Sequence, residues 1–264
     1  MLETVALYLL LGACAGTLAG LFGIGGGLII VPVLIISLSW QGVDGAISTH
    51  LAVGTSLATV VFTSLSSIRT HHAMGAVRWD IFRPMVVGIV LGAALGAMTA
   101  GFLSGPWLQR IIGGFVLLVS LQMGLQWRPS AARPLPGSGG LSLAGGGIGW
   151  ASAIFGIGGG TLTVPLLSWC GVRAQQAVAT SAACGLPIAL SGAATNMVVG
   201  WQRPLLPDYS LGFVYLPALL GIVITSVPFA VLGARLAHRL PERLLKRLFA
   251  LLLLVLGVRF LLLA

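Results

Sequence analysis

Ten apolar segments alternate with short polar or glycine-rich stretches along the 264 residues of the chain. In the first half they cover residues 4–22, 26–38, 46–68, 81–103 and 107–127. In the second half they cover residues 141–156, 159–170, 175–199, 211–234 and 243–263. A helix needs about 20 apolar residues to cross a bilayer, so the last three segments of each half are predicted to span the membrane. The first two are shorter and predict a broken helix or a re-entrant hairpin, with two full spans per pair as the alternative.

Composition excludes the water-soluble classes. Hydrophobic residues make up 57% of the chain, charged residues make up 7%, and the mean hydropathy is +1.05. Soluble proteins carry about a quarter charged residues, and so apolar a chain could not cover its surface with polar groups. The sequence therefore predicts an all-α, polytopic membrane protein embedded in a lipid bilayer.

The chain contains an internal repeat. The sequence FGIGGG occurs at Phe22 to Gly27 and again at Phe155 to Gly160, 133 positions later. Further matches in the same order are Val31-Pro32 with Val164-Pro165, AVGTS (52–56) with AVATS (177–181), and Pro84 and Gly88 with Pro217 and Gly221. An ordered series of this kind indicates two homologous halves. The predicted organisation is a first repeat over residues 1–127, a linker over 128–140 and a second repeat over 141–264.

The basic residues behind the net charge of +9 fall between apolar segments. This pattern indicates how the loops are oriented across the membrane rather than binding to a nucleic acid. Cytoplasmic loops are enriched in Arg and Lys. Placing the loops around 69–83, 128–133, 173 and 235–247 inside collects most of the basic residues there. This placement requires an odd number of crossings per half, so the two repeats are predicted to have inverted topology in a multi-pass protein.

The glycine clusters are the leading candidates for a binding site. A backbone that leaves the helix inside a membrane frees its N–H groups, and consecutive glycines permit this departure. A new helix is predicted to begin near Leu28 and near Thr161, and the amides at a helix N-terminus favour an anion. The predicted substrate-binding amides are those of Gly25, Gly26, Gly27, Gly158, Gly159 and Gly160. The alternative is that these glycines only allow close helix packing, as the spacing of Gly88, Gly92 and Gly96 indicates for that helix.

Polar residues inside the apolar segments are further candidates. Thr55, Ser56, Thr180 and Ser181 occupy matched places in the two repeats, and their hydroxyls could donate to a small oxyanion. Hydroxyls in membrane helices often bond back to a carbonyl instead. His50 is a candidate ligand or proton carrier, with a structural role as the alternative. Asn196 near the end of the matching segment is the last candidate.

The sequence predicts no metal or cofactor. Asp44, Asp80 and Asp208 lie at segment edges, so no buried carboxylate is available for a cation. Cys14, Cys170 and Cys184 lack metal-binding spacing. Both features favour a small anionic substrate over a cationic one.

Several motifs carry a family resemblance. The doubled FGIGGGxxxVPxL hairpin, AVGTS, HAMGAVRWDIF and the C-terminal LLKRLFALLLLVLGVRFLL resemble the TauE/SafE family, also called TSUP, over nearly the whole chain. The resemblance implies a transporter of the cell inner membrane that exports sulfite, sulfoacetate or related organosulfonates. No acidic residue lies within the predicted spans of this chain, so the sequence does not favour proton coupling through a carboxylate.

The predicted function is therefore secondary transport of small sulfur-containing anions by alternating access, and the protein is not expected to be an enzyme. An integral membrane enzyme or a lipid-handling scaffold is the alternative. Such an enzyme would need a cluster of Asp, Glu, His or Cys at one face, whereas these residues are scattered here. The sequence leaves a homo-oligomer open.

Overall fold

The computed structural model describes residues 2–22, 26–125, 134–201, 203–237 and 242–262. In the first half, its helices are α1 (Leu2–Phe22), α2 (Gly27–Trp40), α3 (Gly45–Ala73), α4 (Trp79–Phe102) and α5 (Gly105–Gly124). In the second half they are α6 (Ser138–Phe155), α7 (Gly160–Trp169), α8 (Ala174–Val199), α9 (Leu216–Ala237) and α10 (Glu242–Leu262). Two short strands, β1 (Ser210–Leu211) and β2 (Val214–Tyr215), pair before α9. The predicted all-α class is confirmed.

Four helices in the described part, α3, α4, α5 and α8, are long and apolar enough to cross a membrane. Shorter apolar stretches occur in α1, α2, α9 and α10. Helix α4 shows how such a helix meets both lipid and protein: Val87, Leu91 and Leu95 are exposed, whereas Ile89 and Ala93 are fully buried. Exposed apolar side chains on one face are expected of a helix that contacts lipid. The prediction of a polytopic membrane protein is confirmed.

Two predicted boundaries are wrong. Helix α3 continues to Ala73, so the predicted polar loop contracts to residues 74–78. No helix-breaking residue occurs before Gly75, which has a φ of +63°, and His71 and His72 in the last turn suit the negative end of the helix dipole. The segment predicted to be helical from residue 211 instead begins with the β-hairpin, because Gly212 turns the chain at a φ of +55°.

Glycines form the tightest helix seams. Gly88, Gly92 and Gly96 of α4 lie against the backbone carbonyls of α6, at Ser142, Gly146 and Trp150. A side chain at any of the three would collide with that backbone. The small-residue spacing therefore marks a helix-packing seam, as predicted for this helix.

The two central helices, α3 and α8, run antiparallel. A Cβ atom at Gly54 would lie 3.2 Å from the Asn196 Cβ, and one at Gly192 would lie 2.9 Å from a Leu57 methyl. At the other end, a Cβ at Gly185 would lie 3.0 Å from the Ser64 hydroxyl. As residue numbers rise along α3 they fall along α8, so the centre of the molecule is a crossing of two long helices, one from each half.

The halves differ in length at their hairpins. Helix α2 has 14 residues and its counterpart α7 has 10. Helix α3 has 29 residues and α8 has 26. Gly45 to Gly54, about three turns of helix, precede Thr55 in α3, whereas only Ala174 to Ala179 precede Thr180 in α8. The first half therefore carries about one extra turn on each of these helices.

The two halves exchange contacts, because the first helix of each half packs on the fourth helix of the other. Helix α1 packs on α9, and α6 packs on α4. A Cβ at Gly12 would meet the Ile222 carbonyl, and a Cβ at its counterpart Gly145 would meet that of Met85. By these contacts Met85 in α4 occupies the place that Ile222 occupies in α9. This structural alignment differs by four residues, about one helical turn, from the sequence alignment that pairs Pro84 with Pro217. That match is wrong because Pro217 occupies the second residue of α9, where proline is tolerated, whereas Pro84 lies inside α4.

Candidate functional site

The second glycine cluster interrupts the helix. Helix α6 ends at Phe155, Gly156 adopts a left-handed conformation with a φ of +66°, and α7 begins at Gly160. A Cβ at Gly156 would also lie 2.7 Å from a Val31 methyl and 3.0 Å from the Val53 Cα. Glycine is thus required at this position both by the backbone conformation and by the space available.

The first cluster is bounded by the end of α1 and the start of α2. Helix α1 ends at Phe22 and α2 begins at Gly27, with Gly26 as its N-cap. The predicted site residue Gly25 lies outside the described residues. The Gly26 carbonyl accepts hydrogen bonds from the amides of Ile29 and Ile30, at 3.1 and 3.0 Å.

The two clusters adjoin each other. A Cβ at Gly27 would lie 2.6 Å from the Gly156 carbonyl oxygen, 2.9 Å from the Ile157 Cα and 3.3 Å from the Ser56 hydroxyl. The start of α2 therefore touches the end of α6 without an intervening side chain. This contact brings together the glycine regions of both halves, as the sequence predicts for a shared site.

One face of α3 lines the second break. The Ser56 hydroxyl donates a 2.7 Å hydrogen bond to the Gly156 carbonyl, and a Cβ at Gly158 would lie 3.2 Å from a Val60 methyl. Residues 53, 56, 60 and 64 share a face of a helix because of its 3.6-residue period. These residues lie in the middle of α3, so the break lies about halfway along this central helix.

Helix α8 closes the break from the other side. A Cβ at Gly159 would lie 2.9 Å from the Ser181 carbonyl, 3.2 Å from the Gly185 amide nitrogen and 3.3 Å from the Cys184 Cβ. Because a Cβ at Gly158 would contact Val60 of α3, the break just before α7 lies against both central helices.

The first turn of α7 presents amides without partners. Thr163 donates its amide to the Gly159 carbonyl at 2.8 Å, but the amides of Gly160, Thr161 and Leu162 meet no acceptor within the described ranges. Gly159, the N-cap, supplies no side-chain acceptor either. Unpaired amides at a helix N-terminus carry a partial positive charge and form a natural anion site.

Two hydroxyls in the same turns are also unpaired. The Oγ1 atoms of Thr161 and Thr163 are buried and have no hydrogen-bond partner within the described part of the chain, and Thr163 is fully buried. Sequence reasoning missed both residues. A comparison of the two copies could have found them, because the first copy has Leu28 and Ile30 at these positions.

Thr55 and Thr180 form equivalent hydrogen bonds at opposite ends of the central helices. Thr55 Oγ1 accepts the Tyr215 amide at 2.9 Å, and Thr180 Oγ1 accepts the Arg78 amide at 3.0 Å. Each donor immediately precedes the fourth helix of the other half. We call these bonds the Thr55 latch and the Thr180 latch. Along the antiparallel pair they are separated by about 20 Å, at 1.5 Å per residue.

Each latch hydroxyl acts as an acceptor and keeps its own hydrogen available for donation, since a hydroxyl offers both functions. The hydroxyl hydrogens of Ser56 and Ser181 are already donated. Ser56 donates to the Gly156 carbonyl, and Ser181 donates to the Val178 carbonyl at 2.9 Å. Of the four predicted hydroxyls, only those of the two threonines retain a free hydrogen in this conformation.

The amide donors of the latches lie outside the helices, and their side chains are held in different ways. The Arg78 guanidinium donates to both oxygens of Asp80, at 2.8 and 2.6 Å, which raises the pKa of Arg78. Burial raises the pKa of the Tyr215 phenol, with smaller contributions from Tyr8 and Asp208. Both side chains therefore keep their ordinary charge state near neutral pH.

The two remaining predicted residues lie near the Thr55 latch. Asn196 is buried and donates its amide group to the Gly192 carbonyl at 2.8 Å. His50 Nε2 lies 3.1 Å from both the Ala100 and the Leu103 carbonyl oxygens. Its ring hydrogen is thus engaged at the end of α4 and does not point at the glycine clusters.

A narrow apolar cleft, too small to hold a water molecule, adjoins the site. It is lined by Gly27, Leu28 and Ile157 of the break regions and by Phe115 and Phe155, whose rings stack with centroids 3.9 Å apart. The cleft gives the amide site an apolar neighbour. In the described part of the chain, no group of three or more His, Cys, Asp or Glu residues could hold a metal ion.

Comparison with known proteins identifies the family. The profile of the family TauE, described as sulfite exporter TauE/SafE, matches residues 8–260. The chain belongs to the TauE/SafE family. A probable membrane transporter protein of Haemophilus influenzae is 40% identical to this chain over 263 residues, covering 98% of both chains.

More distant relatives carry the same description. A probable membrane transporter protein of Methanocaldococcus jannaschii is 25% identical and covers 97% of this chain and 95% of its own. A probable membrane transporter protein of Bacillus subtilis is 28% identical over 214 residues, covering 72% of this chain and 77% of its own. No solved structure matches the chain.

Membership of the TauE/SafE family decides the class of function. The chain is a multi-pass membrane transporter, because the family consists of transporters and the relatives are named as such. It is not an enzyme. The alternative of an integral membrane enzyme or lipid-handling scaffold therefore receives no support.

Proposed function

We propose that this transporter exports sulfite or a related organosulfonate across the cell inner membrane by alternating access. The observation that carries the proposal is the first turn of α7, where three amides and two threonine hydroxyls have no hydrogen-bond partner among the described residues. Sulfite and sulfonates present three oxygens around one sulfur. Such a group can accept several converging N–H and O–H donors at once.

The proposed anion site is composite. The amides of Gly160, Thr161 and Leu162 provide the main donors, with those of Gly158 and Gly159 just before them, and the amides of Gly26 and Gly27 are the corresponding donors of the first half. The free hydroxyl hydrogens of Thr55 and Thr180 belong to the latches at the two ends, where they would meet the anion on entry and exit.

The two repeats are proposed to be inserted with opposite orientations. The antiparallel α3 and α8, the matched latches and the exchange of contacts between halves all support this organisation. Basic residues favour a cytoplasmic position for residues 74–78, which places the Thr180 latch at the inner end and the Thr55 latch at the outer end. Transport then proceeds by opening one latch while the other stays closed.

Counterflow of labelled sulfite into proteoliposomes loaded with unlabelled sulfite tests the proposal. Wild-type protein should exchange sulfite, and Gly159→Leu should reduce exchange at least tenfold because the new side chain would enter the space between Ser181 and Gly185. The matched control is Gly147→Leu in α6, where a Cβ meets nothing within 4 Å. Normal exchange by a folded Gly159→Leu variant would remove the break from the mechanism, and no exchange by wild-type protein would exclude sulfite.

A further inference from the structure

His50 is an isolated ionisable group in the protein interior. It is 5% exposed and, among the side chains that the structure describes, it is the only buried Asp, Glu, His, Lys or Arg. Asp44, Asp80 and Asp208 are all exposed. A buried group that titrates near neutral pH is costly to charge unless it gains a partner or reaches water.

The hydrogen-bond partners of His50 fix its neutral tautomer. Its Nε2 contacts two carbonyl oxygens, at Ala100 and Leu103, and carbonyls only accept hydrogen bonds. Nε2 therefore carries the hydrogen, and Nδ1 carries a lone pair. That Nδ1 is buried and has no hydrogen-bond partner within the described ranges. A second proton would thus bind at Nδ1. The Ala46 carbonyl, one turn earlier in α3, lies near the ring, but Nδ1 makes no well-formed hydrogen bond among the described residues.

The charged groups around His50 do not compensate for a second proton. Arg203, which follows α8, is the charged residue that interacts electrostatically with the ring, and its charge has the same sign as an imidazolium. Asp44 on α3 is exposed and accepts the Ala46 amide at the helix N-terminus. Helix α4 carries its two charged residues, Asp80 and Arg83, at the opposite end from Ala100. Arg110 of α5 is exposed, and α8 contains no Asp, Glu, His, Lys or Arg.

His50 also adjoins the Thr55 latch. Its ring stacks on Phe213 with centroids 5.0 Å apart, and Phe213 lies two residues before Tyr215, the amide donor of the latch. The Phe213 amide donates to the Asn196 carbonyl at 3.2 Å, and its own carbonyl contacts Gly54. The β-hairpin thus connects the histidine to the latch. The Thr180 latch lacks an equivalent, because the matching position is the exposed Gln175.

We propose that His50 is a proton-binding switch that opens the Thr55 end of the transporter on acidification. Binding of a proton at Nδ1 creates a buried cation whose new N–H lacks a well-placed acceptor, and opening of this end allows water to solvate both. Because the open form binds the proton more tightly than the closed form, a lower pH on that side shifts the population towards the open form. The switch rests on the proposed alternating access, but it does not depend on the identity of the anion.

Sided pH titration tests the switch. Sulfite exchange is measured in right-side-out and inverted membrane vesicles while the external pH is lowered from about 8 to about 5.5. Wild-type exchange should rise, with a slope of at most about tenfold per pH unit for one proton, only when the Thr55 end faces the external buffer. His50→Gln should lose this dependence. His72→Gln, an exposed histidine at the other end of α3, should keep it, and sulfite's own titration contributes equally to all three proteins.

A second measurement is independent of sulfite. In a variant with Cys14, Cys170 and Cys184 replaced by Ala, a cysteine at the buried Thr49 should react with a membrane-impermeant thiol reagent several-fold faster at acid pH than at neutral pH. The increase is referred to a fully exposed cysteine at the same pH, and it should vanish when His50→Gln is added. Acid-enhanced labelling that survives His50→Gln would overturn the switch. Acid-enhanced labelling without any sulfite exchange would instead retain the switch and reject the proposed substrate.

A second variant keeps the histidine and tests the switch even where His50→Gln does not fold. Phe213→Leu removes the stacked ring and should weaken the link between protonation and the latch, so the pH dependence of labelling should become shallower. An unchanged profile in Phe213→Leu would contradict the connection through the β-hairpin.

Discussion

The Thr55 hydroxyl accepts the Tyr215 amide, so a core helix of the first half holds the chain that leads into α9 of the second half. The Thr180 hydroxyl holds the chain that leads into α4 in the same way. Both threonines are almost fully buried. Their bonds link the central helix pair to the two outer helix pairs, α1 with α9 and α4 with α6.

Replacing either latch threonine with valine should open one end of the protein. The substitution keeps the shape but leaves a buried amide unpaired, at a cost of about 1–3 kcal/mol to the closed end. We measure labelling of Cys184, which is fully buried beside Gly159, after replacing Cys14 and Cys170 with alanine. Thr55→Val should increase labelling from one side of the membrane and Thr180→Val from the other. Equal effects from the same side would contradict two opposed latches.

Removing the hydroxyls of the α7 turn should weaken anion binding. If Thr161 and Thr163 donate to the substrate, Thr161→Val and Thr163→Val should each cost about 1.5–3 kcal/mol of binding free energy, because the acceptor is charged. That loss corresponds to a roughly tenfold to hundredfold weaker sulfite affinity in a binding titration. Thr99→Val is the control, since this α4 hydroxyl bonds to Leu95. Unchanged affinity in both α7 variants would place the anion elsewhere.

Gly156→Ala should destabilise the protein more than an alanine at an equally left-handed but open site. Gly75→Ala is the matched variant, because its φ is +63° and a Cβ there meets nothing within 4 Å. Both variants incur the backbone penalty of about 1–2 kcal/mol. Only Gly156→Ala adds a collision with Val31 and Val53, worth about 1–3 kcal/mol more. Thermal unfolding in detergent should rank them in this order, and equal midpoints would show that the break relaxes freely.

The inverted arrangement predicts where single cysteines are reached. Cysteines at Gly75 and at Gly137, both exposed and outside helices, should react from the cytoplasmic side. A cysteine at the exposed Leu205, between α8 and the β-hairpin, should react from the opposite side. Labelling of all three from one side would show that the repeats are not inverted.

The sequence was sufficient to predict the helix break and its position. Three adjacent glycines disfavour a helix locally, and α7 begins at Gly160, next to the predicted start near Thr161. The seam of Gly88, Gly92 and Gly96 followed from spacing alone. Both signals depend on residues that are close together in the chain. The glycine cluster is also seen twice because of the internal sequence match.

The site hydroxyls could be predicted only in part, because their partners are remote. Thr55 and Thr180 were identified, but their bonds reach residues 160 and 102 positions away, and their acceptor role depends on that packing. The importance of Thr161 and Thr163 arises from burial without a partner, which no local pattern indicates. The β-hairpin was missed because its residues are as apolar as the helix that follows.

The extra turn carried by α2 and α3 makes the two entrances unequal. Four more residues in α2 than in α7 correspond to about 6 Å of additional helix at the end that carries Thr55. We expect a solute approaching from that end to pass along about one more helical turn than one approaching from the Thr180 end. Although the two halves share matched sequence motifs, loading and release would therefore occur at different rates, which would give the carrier an intrinsic kinetic bias.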